Sequence, residues 1–124
     1  MVRRFGRQPW APGARRPIWT DRWAVALALL ALALDGGLGI ALWRRYELLP
    51  ELVAIHFNAF GEVDLIGGKQ DIFKLPLIGA LVWAANGLVA TVSSPYDRVI
   101  ARIAVGTAAL VELLICLAVW RILT

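Results

Sequence analysis

A chain of 124 residues has room for one domain, and 60% of its residues are hydrophobic, too many for a small soluble globule. The net charge of +4 comes from basic residues crowded at one end, so it does not mark a nucleic-acid binder. A single cysteine, Cys116, excludes an internal disulfide and a Cys-based metal site, and its apolar neighbours read it as a small buried hydrophobe. What remains is a chain that uses lipid as its solvent.

Residues 1–20 mix Arg, Pro, Gly and Trp without an apolar period and read as a disordered basic tail. Arg3, Arg4, Arg7, Arg15 and Arg16 lie in it, with Trp10 and Trp19. A solvated tail and a polybasic arm resting on anionic lipid fit that composition equally.

The first hydrophobic run, 23–43, would rise about 31 Å as a helix, enough to cross the hydrocarbon core. Trp23 and Trp43 close its ends, with Arg22 before and Arg44 and Arg45 after, the pattern of a helix anchored at both interfaces. Arg15-Arg16 and Ala31-Leu32-Ala33 faintly imitate a cleavable signal. The apolar run continues ten residues past Ala33, however, so a retained span is expected.

Residues 44–71 form a 28-residue polar connection, too long to be a passive link in so small a protein. Val53 to Asn58 has strand composition and Ala59-Phe60-Gly61-Glu62 reads as a turn, so a short β-hairpin is expected. Its apolar residues, among them Leu49, Ile55 and Phe60, should fold back on the helix ends or the bilayer surface. The second span covers 72–92, with Pro76 in its first turn. Ser94 is expected to cap the third helix, with Pro95 at its first position and Asp97 completing a capping box. The third span covers 99–120, with Arg102 snorkelling toward the nearer interface. The expected fold is therefore an all-α, three-span integral membrane protein with one structured loop.

The loop carries a signature. Leu49-Pro50 is followed by His56-Phe57-Asn58, Gly61 and Asp64, then by Gly67-Gly68-Lys69 and an apolar run that opens on Leu75-Pro76. This pattern over residues 49–79 resembles the domain-of-unknown-function module at the front of SdpI-type bacterial immunity and signalling membrane proteins. The resemblance implies a bacterial inner-membrane protein, and it defines an architecture more than an activity. The family usually places a proline shortly before His-Phe-Asn, where this chain has Ala54.

Two sets of polar residues are candidates for function. In the loop, Pro50, His56, Phe57, Asn58, Gly61, Asp64, Gly68 and Lys69 form the motif. His56, with Asn58, Glu62 and Asp64 nearby, suits either a metal- or proton-linked site or a structural role. The structural reading is favoured: His56 and Asn58 bond loop backbone, and Gly61 supplies a positive φ. In the spans, Asp35 and Glu112 each lie nine residues before a terminal arginine, Arg44 and Arg121. Both should sit about 14 Å below the same interface, on small-residue faces made by Ala24, Ala28, Ala31 and Gly39 and by Ala104, Ala108 and Cys116. Such faces pack closely, and an intramembrane carboxyl is a functional-site hypothesis by default. Two readings follow: protonated carboxyls that glue the helices to each other or to a partner protein, favoured here, or a pair that handles a proton or cation, with Asn86 as a further polar partner.

No catalytic constellation, metal cluster or cofactor fingerprint is present, and no enzyme activity is expected. Counting Lys and Arg gives about eight on the N-terminal side against five on the other, so the N-terminus should be cytoplasmic. The expected partners are the bilayer and a protein partner or second copy. The expected role is binding or recognition of an immunity- or signalling-like kind. The alternatives are an accessory or assembly subunit of a larger complex and an oligomeric proton- or cation-coupled transport component.

Overall fold

Pro17 is in an extended conformation, and Ile18–Thr20 then make one 3-10 turn. The computed structural model describes residues 16–124. The tail reading of 1–20 does not hold for Ile18–Thr20. Ile18 is completely buried, and its N–H donates to Ser94 Oγ at 3.2 Å. The indole N–H of Trp19 is held by Thr91 Oγ1 at 3.0 Å. Trp10 and the arginines up to Arg15 lie outside the described residues.

Helix α1 (Arg22–Arg45) begins where Asp21, in extended conformation, accepts a hydrogen bond from the Trp23 N–H. The helix runs without interruption through Gly36-Gly37. One 3-10 turn (Tyr46–Leu48) leads to Leu49, which is extended as the residue before a proline must be, and then to strand β1 (Leu52–Phe57). Strand β2 (Val63–Gly68) returns antiparallel to it. A 3-10 segment (Lys69–Phe73) runs straight into helix α2 (Lys74–Ser93), and helix α3 (Arg98–Leu123) closes the bundle.

All three helical segments are long and apolar enough to cross a membrane: Arg22–Leu48, Lys69–Ser93 and Arg98–Leu123. Their outward faces carry exposed Leu29, Ile40, Leu77, Leu88, Ile103 and Leu117 where a soluble bundle would place charge. The expected three long apolar helices are present, together with the expected two-stranded hairpin.

The interior has three layers. At one end, Ile18, Ala24, Ala28, Ala90, Ala101, Ala104 and Val105 cluster, mostly small side chains that let the helix backbones approach. Trp83 crosses this contact and donates its indole N–H to the Ala28 carbonyl at 3.0 Å. At the other end, Leu42 of α1, Val53 of β1, Ile72 and Val119 of α3 form a second cluster that seats the hairpin on the bundle. Between these apolar layers, α1, α2 and α3 present Asp35, Gly79 and Glu112 to one another.

The third helix starts later than expected. Asp97 is its N-cap, accepting from the Val99 and Ile100 N–H groups, while Pro95 belongs to the turn after α2. Ser94 cannot cap α3, because its hydroxyl donates to the Thr91 carbonyl and accepts from Ile18.

Candidate functional site

The signature residues of the loop hold one another. Asn58 Oδ1 accepts from the backbone N–H of Phe60 (2.9 Å) and of Glu62 (3.0 Å), so a single side chain closes the turn. Its amide Nδ2 donates to Glu62 Oε2, and its backbone pairs with Glu62 and Gly61. Gly61 has φ +81°, the one positive φ among the described residues, as the turn reading requires. His56 bonds a side chain and not the backbone: its Nδ1 lies 2.6 Å from Asp64 Oδ1, and the carboxylate accepts. The strands are irregular here, with register shifts on either side of His56, which turn the two side chains toward each other. Phe57 pairs with Val63 beside them.

The base of the hairpin is tied just as firmly. Lys69 bonds Glu51 twice, backbone N–H to carbonyl and Nζ to Oε1, each at 3.0 Å, and lies over the Tyr46 ring. The Gly68 N–H donates to Asp71 Oδ2. A Cβ on Gly67 would meet that same oxygen at 2.7 Å, so the Gly67-Gly68 pair is a close backbone approach and not a flexible lead-in. Pro50 stands just before β1 and faces the last turn of α3 across a dimple lined by Arg45, Val53, Ile122 and Leu123.

The carboxyl layer is a different kind of site. Glu112 is fully buried, and neither of its oxygens has a hydrogen-bond partner; Asp35 Oδ1 is likewise unpartnered. All three oxygens converge on Gly79. A Cβ built there would lie 2.7 Å from Glu112 Oε1, 2.7 Å from Glu112 Oε2 and 2.9 Å from Asp35 Oδ1. The two carboxyls are thus brought together across the helix contact, and no hydrogen bond joins them within the chain. Asn86 takes no part, because its Nδ2 donates to Val82 on its own helix. Cys116, one turn beyond Glu112, lies half-buried with its Sγ 4.0 Å from the Leu34 carbonyl.

Two features escaped the sequence reading. Gly79 carries no side chain to notice, though it lies seven residues inside its expected span, at the depth of the two carboxyls. At the opposite end of the bundle Asp21 accepts from Arg102 Nε (2.8 Å) and lies 2.7 Å from its Nη2, with Arg98 4.0 Å away. Arg102 therefore points to a fixed partner rather than snorkelling freely. The hydrogen bond from Arg102, with the N–H groups at the start of α1, holds the Asp21 carboxyl below the usual aspartate range. A lone acid among six arginines was the available signal.

Among the described residues no group of three His, Cys, Asp or Glu side chains is placed to hold a metal ion. Residues 30–80 match the family model "Domain of unknown function (DUF1648)". The match takes in Asp35, the whole hairpin and Gly79, and ends before α3 and Glu112. No curated protein and no solved structure matches the chain.

Proposed function

We propose that this is a multi-pass bacterial membrane protein that acts without catalysis, by recognising a protein partner through its hairpin. The carrying observation is how the hairpin uses its residues. His56, Asn58, Gly61, Asp64 and Lys69 are engaged within it and set its shape. Leu52, Val63, Leu65, Ile66 and Phe60 are left exposed, Phe60 at 89%. Both strands also keep one unpaired edge, since the sheet has only two. A rigid, apolar, open-edged hairpin suits contact with another chain, by strand addition or by side-chain packing. The resemblance to SdpI-type modules supports an immunity- or signalling-like purpose. The excess of Lys and Arg on the N-terminal side supports a cytoplasmic N-terminus and an outward-facing hairpin.

A photo-cross-linking residue at Phe60 or Leu65 tests this in intact cells. The expected result is one discrete protein adduct, lost when Gly61→Val disorders the turn. Adducts to lipid alone would mean that the hairpin lies in the bilayer interface and would refute recognition. A groove between α1 and α3 favours a second reading, the accessory subunit. Ala33, Gly37 and Ala41 line one wall and Cys116 and Trp120 the other, a surface on which a partner's membrane helix can pack closely.

A further inference from the structure

Glu112 is the strangest residue in the bundle. It is 0% exposed, in an apolar interior, with both carboxyl oxygens unpartnered and aimed, like Asp35 Oδ1, at the Gly79 backbone. Buried polar groups are ordinarily bonded, and three unbonded oxygens converging from two helices point to a ligand between them. The oxygens can come together because α2 places Gly79 opposite: any side chain there would strike both carboxyls.

The donor chemistry narrows the ligand. Oxygen alone is the donor set of a hard cation, whereas transition metals prefer imidazole or thiolate. Calcium takes six to eight oxygens and magnesium holds several waters, which three oxygens in a tight apolar layer do not match. Two bare carboxylates in low dielectric repel strongly and require positive charge between them. One monovalent cation and one proton leave the layer neutral. A direct carboxyl–carboxyl hydrogen bond would be the arrangement for protons alone, and it is not formed. The titratable groups around this point are Asp35 on α1 and Glu112 and Cys116 on α3. α2 brings only the Gly79 backbone, and its nearest charge, Lys74, is paired with Asp71 at 2.7 Å.

We infer that Asp35 and Glu112, over Gly79, form an intramembrane binding site for a small monovalent cation, of sodium size, taken up as one proton leaves. The site rests on residues other than those of the hairpin, so it stands or falls independently of partner recognition.

Dicyclohexylcarbodiimide, which modifies protonated carboxyls in apolar surroundings, provides the test on the full chain in mild detergent. Labelling of Glu112, followed by mass spectrometry, should slow at least several-fold in sodium chloride. The sodium concentration needed should rise as pH falls, because cation and proton compete. Choline chloride at equal ionic strength should not protect. Asp35→Asn and Gly79→Ala should remain labelled and lose the sodium effect. Thermal unfolding covers the case in which the reagent does not reach the pair: sodium should raise the midpoint of the wild type and leave Glu112→Gln unmoved. Labelling indifferent to sodium, with no sodium-dependent midpoint, would show a pair that takes protons only and overturn the proposal. Equal protection by choline would overturn it as a general salt effect.

Discussion

Replacing Gly79 with alanine adds one methyl group at the point where three helices meet, and the structure sets the balance of effects. The new Cβ would lie 2.7 Å from both Glu112 oxygens and 2.9 Å from Asp35 Oδ1, closer than real Cβ contacts come. The obstructing atoms are carboxyl ends and not backbone, so they move aside, at an overpacking cost of about 1–3 kcal/mol. Alanine recovers about 1 kcal/mol of helix propensity. The net expectation for Gly79→Ala is thus a loss of about 0–2 kcal/mol. Gly87, on the same helix, would have nothing within 4 Å of an added Cβ, so Gly87→Ala meets no such crowding and should gain about the same 1 kcal/mol of helix propensity. The decisive quantity is the difference between the two variants, about 1–3 kcal/mol, because the propensity term cancels. Reversible unfolding in mixed micelles, followed by far-ultraviolet circular dichroism, measures it. Glu112→Ala in the Gly79→Ala background should remove most of the crowding. If Gly79→Ala is as stable as Gly87→Ala, the three-helix convergence on the carboxyls is wrong.

Four further outcomes are expected. Gly61→Val forces a β-branched residue to φ +81°, costing about 1–3 kcal/mol, and limited proteolysis should then cut the hairpin faster than in the wild type. His56→Ala should cost at most about 1 kcal/mol, since the His56–Asp64 pair is 65% and 44% exposed; Asn58→Ala, which strips two turn N–H groups of their acceptor, should cost more by the same unfolding assay. The lowered Asp21 carboxyl stabilises the fold fully above the ordinary aspartate value of 3.8, and that contribution fades as pH falls through the lower folded value; acid titration of stability should therefore be less steep in Asp21→Asn below pH 3.8. In a Cys116→Ser background, Glu62→Cys should react with an impermeant maleimide outside intact cells and Gly6→Cys should not; the reverse pattern would invert the orientation and leave the three helices in place.

Much of the fold was legible because lipid-soluble helices announce themselves by length. The runs 23–43, 72–92 and 99–120 became Arg22–Arg45, Lys74–Ser93 and Arg98–Leu123, shifted by a turn or less at each end. The hairpin turn was legible because Asn58 and Gly61 each have a local job, closing the turn and taking a positive φ. What failed depended on distant partners. Ser93, Ser94 and Asp97 are all fit to cap a helix, and nothing local chooses among them; Ser94 is withdrawn by Ile18, 76 residues away. Composition alone makes Arg102 a snorkelling side chain, because its partner, Asp21, is 81 residues distant. The depth of Asp35 and Glu112 followed from counting residues to the terminal arginines, yet counting could not reveal Gly79, whose contribution is the absence of a side chain. Asn86 was misplaced for the converse reason: an amide in a span can bond its own helix carbonyl and need no partner.

A cysteine cross-link reads out the convergence of Asp35 and Glu112 without intermediate assumptions. In a Cys116→Ser background, Asp35→Cys with Glu112→Cys should form a disulfide within one chain under mild oxidation in membranes. Pairs moved to an exposed neighbour, Gly36→Cys with Glu112→Cys or Asp35→Cys with Leu114→Cys, turn one thiol about 100–200° around its helix and should stay unlinked. A direct pair that fails to link, or displaced pairs that link as readily, would contradict the account.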